Sequence, residues 1–458
     1  MGLSIDAFRD LLDPAGILDA AQCAQRPAAL NRQSQPRTAI GLLRPRSTAE
    51  LSQILKRCHA HRQPVTVQGG ISGSCGAISA ADEIAISLER MAAVEEIDSA
   101  GRTVLVQAGC LLHNLHEAVA AHGLYYGVDY GGRGSATLGG NISTNAGGLN
   151  VLRYGMTREQ VLGLEAVLAD GTVISSMNRM LKNNAGYDLK QLFIGTEGTL
   201  GVVTRAILRL RPQPLSDNVA LLAMSSFEQV RGFLAYCEQR YAGVLTSFEV
   251  MWQRFYMHAT AEGGAPLPDL HPFYVIVETR GTDPAADAAH FEHTLARALE
   301  DGMFEDAAMS DSRARKQAIW AVRERVEWLV RRPVRHVFDL SLPVREMERY
   351  VADLERDLAA RWPRAELIVF GHIADGNLHV FVTMDEAPLD FTYEALCGMV
   401  YPPLTAFHGS IAAEHGVGRE KVASLHYSRT EEELALMRTL KRCLDPHNIL
   451  NPGRVVAL

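Results

Sequence analysis

Between about residues 38 and 213 the hydrophobic positions switch repeatedly between a helical and a strand period. Leu51, Ile54, Leu55 and Cys58 fall on one helical face, and Ser47-Thr48-Ala49-Glu50 before them predicts a capping box. Pro64 to Val67 reads as a strand entering a glycine-rich loop, and Ile84, Ile86 and Leu88 alternate as in a half-buried strand. A strand over 103–107 precedes a helix with Leu112, Leu115 and Val119 on one face and Gly123 as its stop. Residues 164–169 and 172–175 form a hairpin about Asp170-Gly171.

Pro212 and Pro214 interrupt this pattern and mark a boundary. Beyond it, 219–223, 244–250, 273–278 and 337–342 read as strands, with helices over 313–330 and 345–360. This is the pattern of an antiparallel sheet with helices on one face. Gly263-Gly264, Pro266 and Pro268 mark a loop inside it. Apolar runs flank Ala374-Asp375-Gly376-Asn377, whose Asp-Gly and Gly-Asn steps supply the positive φ of a hairpin turn. From about Ile411 the chain carries a Glu-His pair, a helix over 432–443 and the tail Asn448 to Gly453. No internal repeat or low-complexity stretch is visible.

Composition narrows the function classes. At 458 residues, with 47% hydrophobic and 21% charged positions, the chain can build more than one core and reads as soluble and globular. A net charge of −8 argues against nucleic acid, and the densest basic cluster, Arg331-Arg332 with Arg335, is too short to change that. The seven cysteines include no Cys-x-x-Cys pair, which excludes a zinc ribbon and fits buried thiols in a reducing compartment. The first residues lack a basic and then apolar leader, Asp6, Asp10 and Asp13 argue against a transit peptide, and no apolar run nears the ~18–20 residues of a membrane span. A cytoplasmic protein is expected.

Candidate chemistry concentrates in the last third. His372 and His379, on facing strands beside one turn, can point to the same side. With Glu414 they make a His-His-Glu set with an open position, the arrangement of a catalytic metal site, and leave His415 as a base. Spacing alone also admits two solvated rim histidines. The first half offers two glycine-dense loops, Gln68 to Gly76 and Gly131 to Gly140 continuing to Gly148. Glycine lets backbone N–H groups cradle an anion, and two such loops suit a ligand with two phosphates. Neither is a Walker loop, and neither has the Gly-x-Gly-x-x-Gly plus distant acid of a nicotinamide site.

Gly69-Gly70, Thr137 to Gly148 and Phe193 to Gly201 resemble the FAD-linked oxidase family of the vanillyl-alcohol oxidase type. Gly371 to His379, Ala413 to Gly418 and Asn451-Pro452-Gly453 resemble its D-2-hydroxyacid dehydrogenase branch. The resemblance implies an α+β fold: a two-subdomain FAD-binding domain (1–213), an antiparallel-sheet substrate domain (214–410) and a C-terminal segment (411–458) returning to the flavin. It implies flavin contacts at Gly69, Gly70, Ser72, Gly73, Ser135, Gly139, Gly140, Thr144, Gly148, Glu197, Gly198, Val202 and Asn451. Ile71 cannot form the covalent link that some relatives use, so FAD is expected to be non-covalent. His372, His379 and Glu414 become Zn2+ ligands, His415 the catalytic base, and Arg323 the anchor of the substrate carboxylate.

The resemblance also departs from the hydroxyglutarate enzymes. Where they hold the second carboxylate with Thr, Lys and Asn, this chain has Glu327, Val337 and Phe381. A buried carboxylate without partners costs several kcal/mol. D-2-hydroxyglutarate is therefore expected to be a poor substrate and D-mandelate a better one, with D-lactate or D-2-hydroxyglutarate as the alternative. The electron acceptor is left open among electron-transfer flavoprotein, quinone or another carrier, and a homodimer is left open too. A zinc hydrolase is the rival from another class, separated by colour, since only a flavoprotein is yellow.

Overall fold

The computed structural model describes residues 2–26, 39–78, 80 and 82–458. The chain clusters into two compact units. One comprises Met1–Gly148, Gly155–Gln213 and Glu414–Leu458; the other comprises Leu149–Tyr154 and Pro214–Ala413.

The first unit carries two main sheets. Gly41–Leu43, Ile84–Ser87 and Val65–Gln68 run parallel, with Ile17–Asp19 antiparallel at one edge. All of Ile84–Ser87 is buried, so this central parallel strand is covered on both faces rather than half-buried as its alternation implied. The second sheet is antiparallel, ordered Val94–Asp98, Thr103–Gln107, Val202–Arg209, Val161–Val167, Val173–Ser176. Helices Thr48–Ala60 and Leu112–Ala120 contribute Leu51, Ile54, Leu55, Leu112, Leu115 and Val119 to one core shared with both sheets. Ser47 caps the first helix at Glu50 N (3.2 Å), but the Glu50 carboxylate accepts from Arg46 N (2.7 Å), so the expected box is only half formed. The C-terminal segment is tied to this unit. Val65 N donates to Ile449 O (2.8 Å) and Asn451 N to Val65 O (2.9 Å), while buried Lys441 bonds Asp445, Thr199 O and Leu450 O.

The second unit is built on a seven-stranded antiparallel sheet: β1 (Ser216–Met224), β2 (Leu245–Trp252), β3 (Phe273–Gly281), β4 (Asp306–Met309), β5 (Val334–Ser341), β6 (Glu366–His372) and β7 (Asn377–Met384), in the order β4-β1-β3-β2-β6-β7-β5. Helices cover both of its faces, not one. On one side α1 (Gln253–Thr260), α2 (Arg313–Glu324) and α3 (Glu327–Arg331) give Phe255, Ile319, Trp320 and Leu329 to a core with Met251, Ile276 and Phe370. On the other, Phe248 meets Phe233 (6.0 Å between centroids) and Phe338 stacks on Tyr393 (5.3 Å), both partners being helical. The physical reason is strand composition: β2 is buried at every position but its last, which needs cover on two sides. The helix expected over 313–330 is two, broken at Arg325 and Val326.

Candidate active site

In the first unit, Gly69, Gly139, Gly140, Thr144, Glu197, Gly198, Val202 and Asn451 line one cleft. Eight of the residues expected at a flavin therefore stand around one opening. Gly70, Ser72, Gly73, Ser135 and Gly148 are not among its walls. Gly70 instead lets two loops touch, since a Cβ there would lie 1.7 Å from Ser135 O. Ser135 and Gly73 are exposed. Sequence reasoning missed Ser87, Leu88, Ala108 and Gly109 in the lining. A Cβ on Gly109 would sit 1.9 Å from Leu88 O, so only glycine permits these chain segments to approach. Glu89, also in the lining, is neutralised by Arg26 and Arg44; burial opposes its ionisation, but these two arginines hold its carboxyl at about 2. Glycine walls let backbone N–H groups approach a diphosphate-bearing ligand.

The Glu414–Gly418 loop is fixed inside the same unit. Glu414 Oε1 accepts from Gly148 N (2.7 Å), which gives Gly148 a role other than walling the cleft. The Glu197 carboxylate accepts from Val417 N (2.7 Å) and Gly418 N (2.9 Å). Burial pushes the Glu197 carboxyl up, and these two donors, with Lys421 and Arg454, work against that shift. Cys75 Sγ donates to His415 O (3.1 Å), and burial raises its thiol to about 12, so Cys75 is a packed thiol and not a nucleophile.

In the second unit the ladders bring His372 and His379 onto one face of the sheet. Phe370 pairs with His379 across β6 and β7, and His372 lies two residues beyond Phe370, so the two imidazoles project to the same side. Their ring centroids are 5.2 Å apart. Each is 7% exposed, which rules out the solvated-rim reading. His372 Nδ1 is hydrogen-bonded to Glu249 Oε1, and His379 Nδ1 lies 3.5 Å from Asp339 Oδ1. Both Nδ1 atoms thus face buried carboxylates, the arrangement that orients an imidazole to offer Nε2 to a metal. Glu249 and Asp339 were not foreseen as partners, although each is an acid inside an apolar strand, the one signal that marks them.

Arg323 reaches the same face from α2. Its Nε donates to Glu249 Oε2 (2.8 Å), and its guanidinium lies 4.4 Å from the Phe370 ring centroid. Among the described residues no bond occupies its two Nη atoms, so the outer edge of the fork is available to a carboxylate. Burial opposes ionisation of Glu249, but His372 and Arg323 outweigh it and hold the carboxyl at about 2. Val337 and Phe381 are Cα partners one step along the ladder from Asp339 and His379, both partly exposed on this face. Glu327 is not gathered with them: it stands exposed at the start of α3.

A glycine-walled cleft on a mixed fold and a second unit bearing braced histidines belong to a class of two-unit redox proteins that bind a dinucleotide. Residues 39–176 match the family described as FAD binding domain, and residues 213–455 match FAD linked oxidases, C-terminal domain. The chain belongs to this FAD-linked oxidase family, and FAD is its cofactor. That membership removes the zinc-hydrolase rival. Among curated relatives, mitochondrial D-2-hydroxyglutarate dehydrogenase of Bos taurus is 41% identical over 91% of this chain and 76% of its own length. D-2-hydroxyglutarate dehydrogenase of Xanthomonas citri is 38% identical, covering 91% of this chain and 89% of its own. Among solved structures, p-cresol methylhydroxylase matches with TM-score 0.79 at 15% identity, and 4-ethylphenol oxidase of Gulosibacter chungangensis with 0.76 at 16%; both matches cover 98% of this chain and 96% of theirs. These share the fold. No helix among the described residues is long and apolar enough to cross a membrane.

Proposed function

We propose that this chain is an FAD-dependent dehydrogenase that oxidises a D-2-hydroxy acid to the 2-oxo acid, with D-2-hydroxyglutarate as its substrate. The observation that carries the chemistry is the histidine pair, each Nδ1 set against a buried carboxylate, beside an arginine whose fork is half free. The substrate follows the relatives named above. It replaces the expected preference for D-mandelate, which nothing in the comparisons supports. Part of the argument for mandelate also weakens on physical grounds: an exposed Glu327 is screened by water and salt and repels a bound carboxylate little.

Bound FAD would supply the acceptor for the C2 hydride, and a divalent ion, Zn2+ by the chemistry of the donors, would supply a Lewis acid for the hydroxyl. His372 and His379 would hold that ion through Nε2, and Glu414, whose Oε1 accepts from Gly148 N, would supply its carboxylate as the third ligand. Arg323 Nη atoms grip the C1 carboxylate. His415 takes the hydroxyl proton on its imidazole. The products are the 2-oxo acid, a proton and reduced FAD, which electron-transfer flavoprotein, a quinone or another carrier reoxidises. FAD is held without a covalent bond, since Ile71 has no nucleophile and Cys75 is a packed thiol.

A second reading, an apolar or aromatic substrate side chain, is favoured only by Val337 and Phe381 facing each other beside His379. Anaerobic flavin bleaching by D-2-hydroxyglutarate, D-lactate and D-mandelate separates the two. Fastest bleaching by hydroxyglutarate is the expected result; fastest bleaching by mandelate would replace the main reading with the second.

A further inference from the structure

D-2-hydroxyglutarate has a second carboxylate, which the histidine pair, Glu414 and the apolar Val337–Phe381 pair offer no cation to meet. Arg323 is committed to Glu249 and, in the proposed function on which this inference rests, to the first carboxylate. The strands of the sheet carry two cations, Arg280 and Arg335. Arg280 is taken by Glu278. Arg335 is not: among the described residues no carboxylate lies within ion-pair distance of it, and its one hydrogen bond runs from Nη1 to Arg332 O (3.2 Å).

Register puts Arg335 on the correct face. In the β5–β7 ladder Asp339 pairs with His379, Val337 with Phe381 and Arg335 with Thr383, and directly opposed residues project to one side. Arg335 is therefore the next side chain past the Val337–Phe381 pair, on the face that carries both histidines. Each two-residue step along a strand is roughly 7 Å, so the guanidinium stem begins one step beyond the apolar pair and can lie back over Val337. Its bond to a neutral carbonyl is one that a carboxylate would displace, because charge-assisted pairs are about twice as strong. The patch holds further unspent capacity: Thr383, 1% exposed, has a buried hydroxyl with no hydrogen-bond partner.

We infer that Arg335 is the specificity residue for the distal carboxylate, with Val337 and Phe381 packing on the methylene chain between it and the metal-binding histidines. An apolar pair and a terminal cation suit a substrate that is apolar in the middle and anionic at its end. The two residues that looked hostile to a dicarboxylate are then walls of its passage rather than its terminus.

The test compares the flavin-loaded enzyme and Arg335→Gln on D-2-hydroxyglutarate and on D-2-hydroxypentanoate, which has the same carbon chain without the distal carboxylate. The readout is the ratio of the two kcat/KM values. Loss of a charge-assisted pair should lower that ratio roughly 10- to 100-fold, through KM rather than kcat, with partial recovery in Arg335→Lys. If Arg335→Gln loses flavin on purification, Arg335→Met, which keeps the apolar stem without the charge, serves instead and must lower the same ratio. An unmoved ratio, or an equal fall for both substrates, overturns the inference while the proposed function stands. A wild-type enzyme that oxidises only the monocarboxylate also overturns it. Oxidation of neither compound would overturn the proposed function, and this inference with it.

Discussion

Replacing Glu249 by Gln removes the central charge of the polar row on the sheet, and its cost can be worked out. Glu249 is 1% exposed and is shared by Arg323 and His372. Its carboxyl is held at about 2 against an ordinary 4.5, a depression that corresponds to about 3 kcal/mol. A depressed carboxyl contributes its full stabilisation above the unfolded value and loses it as pH falls through the folded one. The contribution is therefore complete at pH 6 and disappears between about pH 5 and 2. Gln leaves the Arg323 charge, 8% exposed, without a counter-ion, and an orphaned buried charge costs about 3–5 kcal/mol. For a unit of this size that lowers the unfolding midpoint by roughly 6–20 °C. The assay is scanning calorimetry of wild type, Glu249→Gln and the double variant Glu249→Gln/Arg323→Met at pH 6 and at stepwise lower pH. The single variant should lose the full amount at pH 6, the double variant should recover at least half, and the gap from wild type should narrow below pH 5. A single variant melting within about 2 °C of wild type at pH 6, or a gap insensitive to pH, would refute the reasoning.

Gly109→Ala forces a Cβ against Leu88 O at a wall of the cleft, and should weaken FAD retention roughly 10- to 100-fold, read by flavin content after gel filtration. His415→Ala should keep its yellow colour but bleach far more slowly with substrate; normal bleaching would end the assignment of His415 as base. Chelation should abolish turnover without releasing flavin, and Zn2+ should restore it. Asp339→Asn, which weakens the brace on His379, should lower metal retention roughly 10- to 100-fold by elemental analysis.

The strands and the histidine hairpin were legible because their signals are local. The Asp375-Gly376 step marked the reversal, which is a 3-10 turn over Ile373–Asp375 closed by Gly376 at positive φ rather than a tight two-residue turn, and the ladder places both histidines on one face. Cover on both faces of the sheet was not read, although Val219-Ala220-Leu221-Leu222-Ala223-Met224 is a continuous apolar run that only two-sided burial explains. The break at Arg325 and Val326 left no such mark, because helical spacing of apolar residues continues through it from Trp320 to Leu329. In the cleft, the glycine loops announced themselves, but the approach of Gly109 to Leu88 joins the ends of separate strands and no local pattern encodes it. Likewise Glu249 lies 123 residues from His372, a pairing that only the β2–β6 ladder creates.

What the sequence did contain, unread, was an incongruity: acids at Glu249 and Asp339 in the middle of apolar strands. Burying a carboxylate costs several kcal/mol even when it is paired, and apolar residues of similar volume would stabilise the sheet at least as well. Yet Asp339, His379, His372, Glu249 and Arg323, all buried, stand together on the face that also packs Met251, Ile276 and Phe370. Stability does not account for that concentration. A site that must orient two imidazoles and hold one guanidinium in a dry setting does, and it needs the two acids at the positions they occupy. On the same argument, a partly buried arginine on that face without a carboxylate of its own is unlike Arg323 or Arg280, whose charges are already met within the fold. Among the described residues no anion meets Arg335, and the inferred distal carboxylate is the one that would.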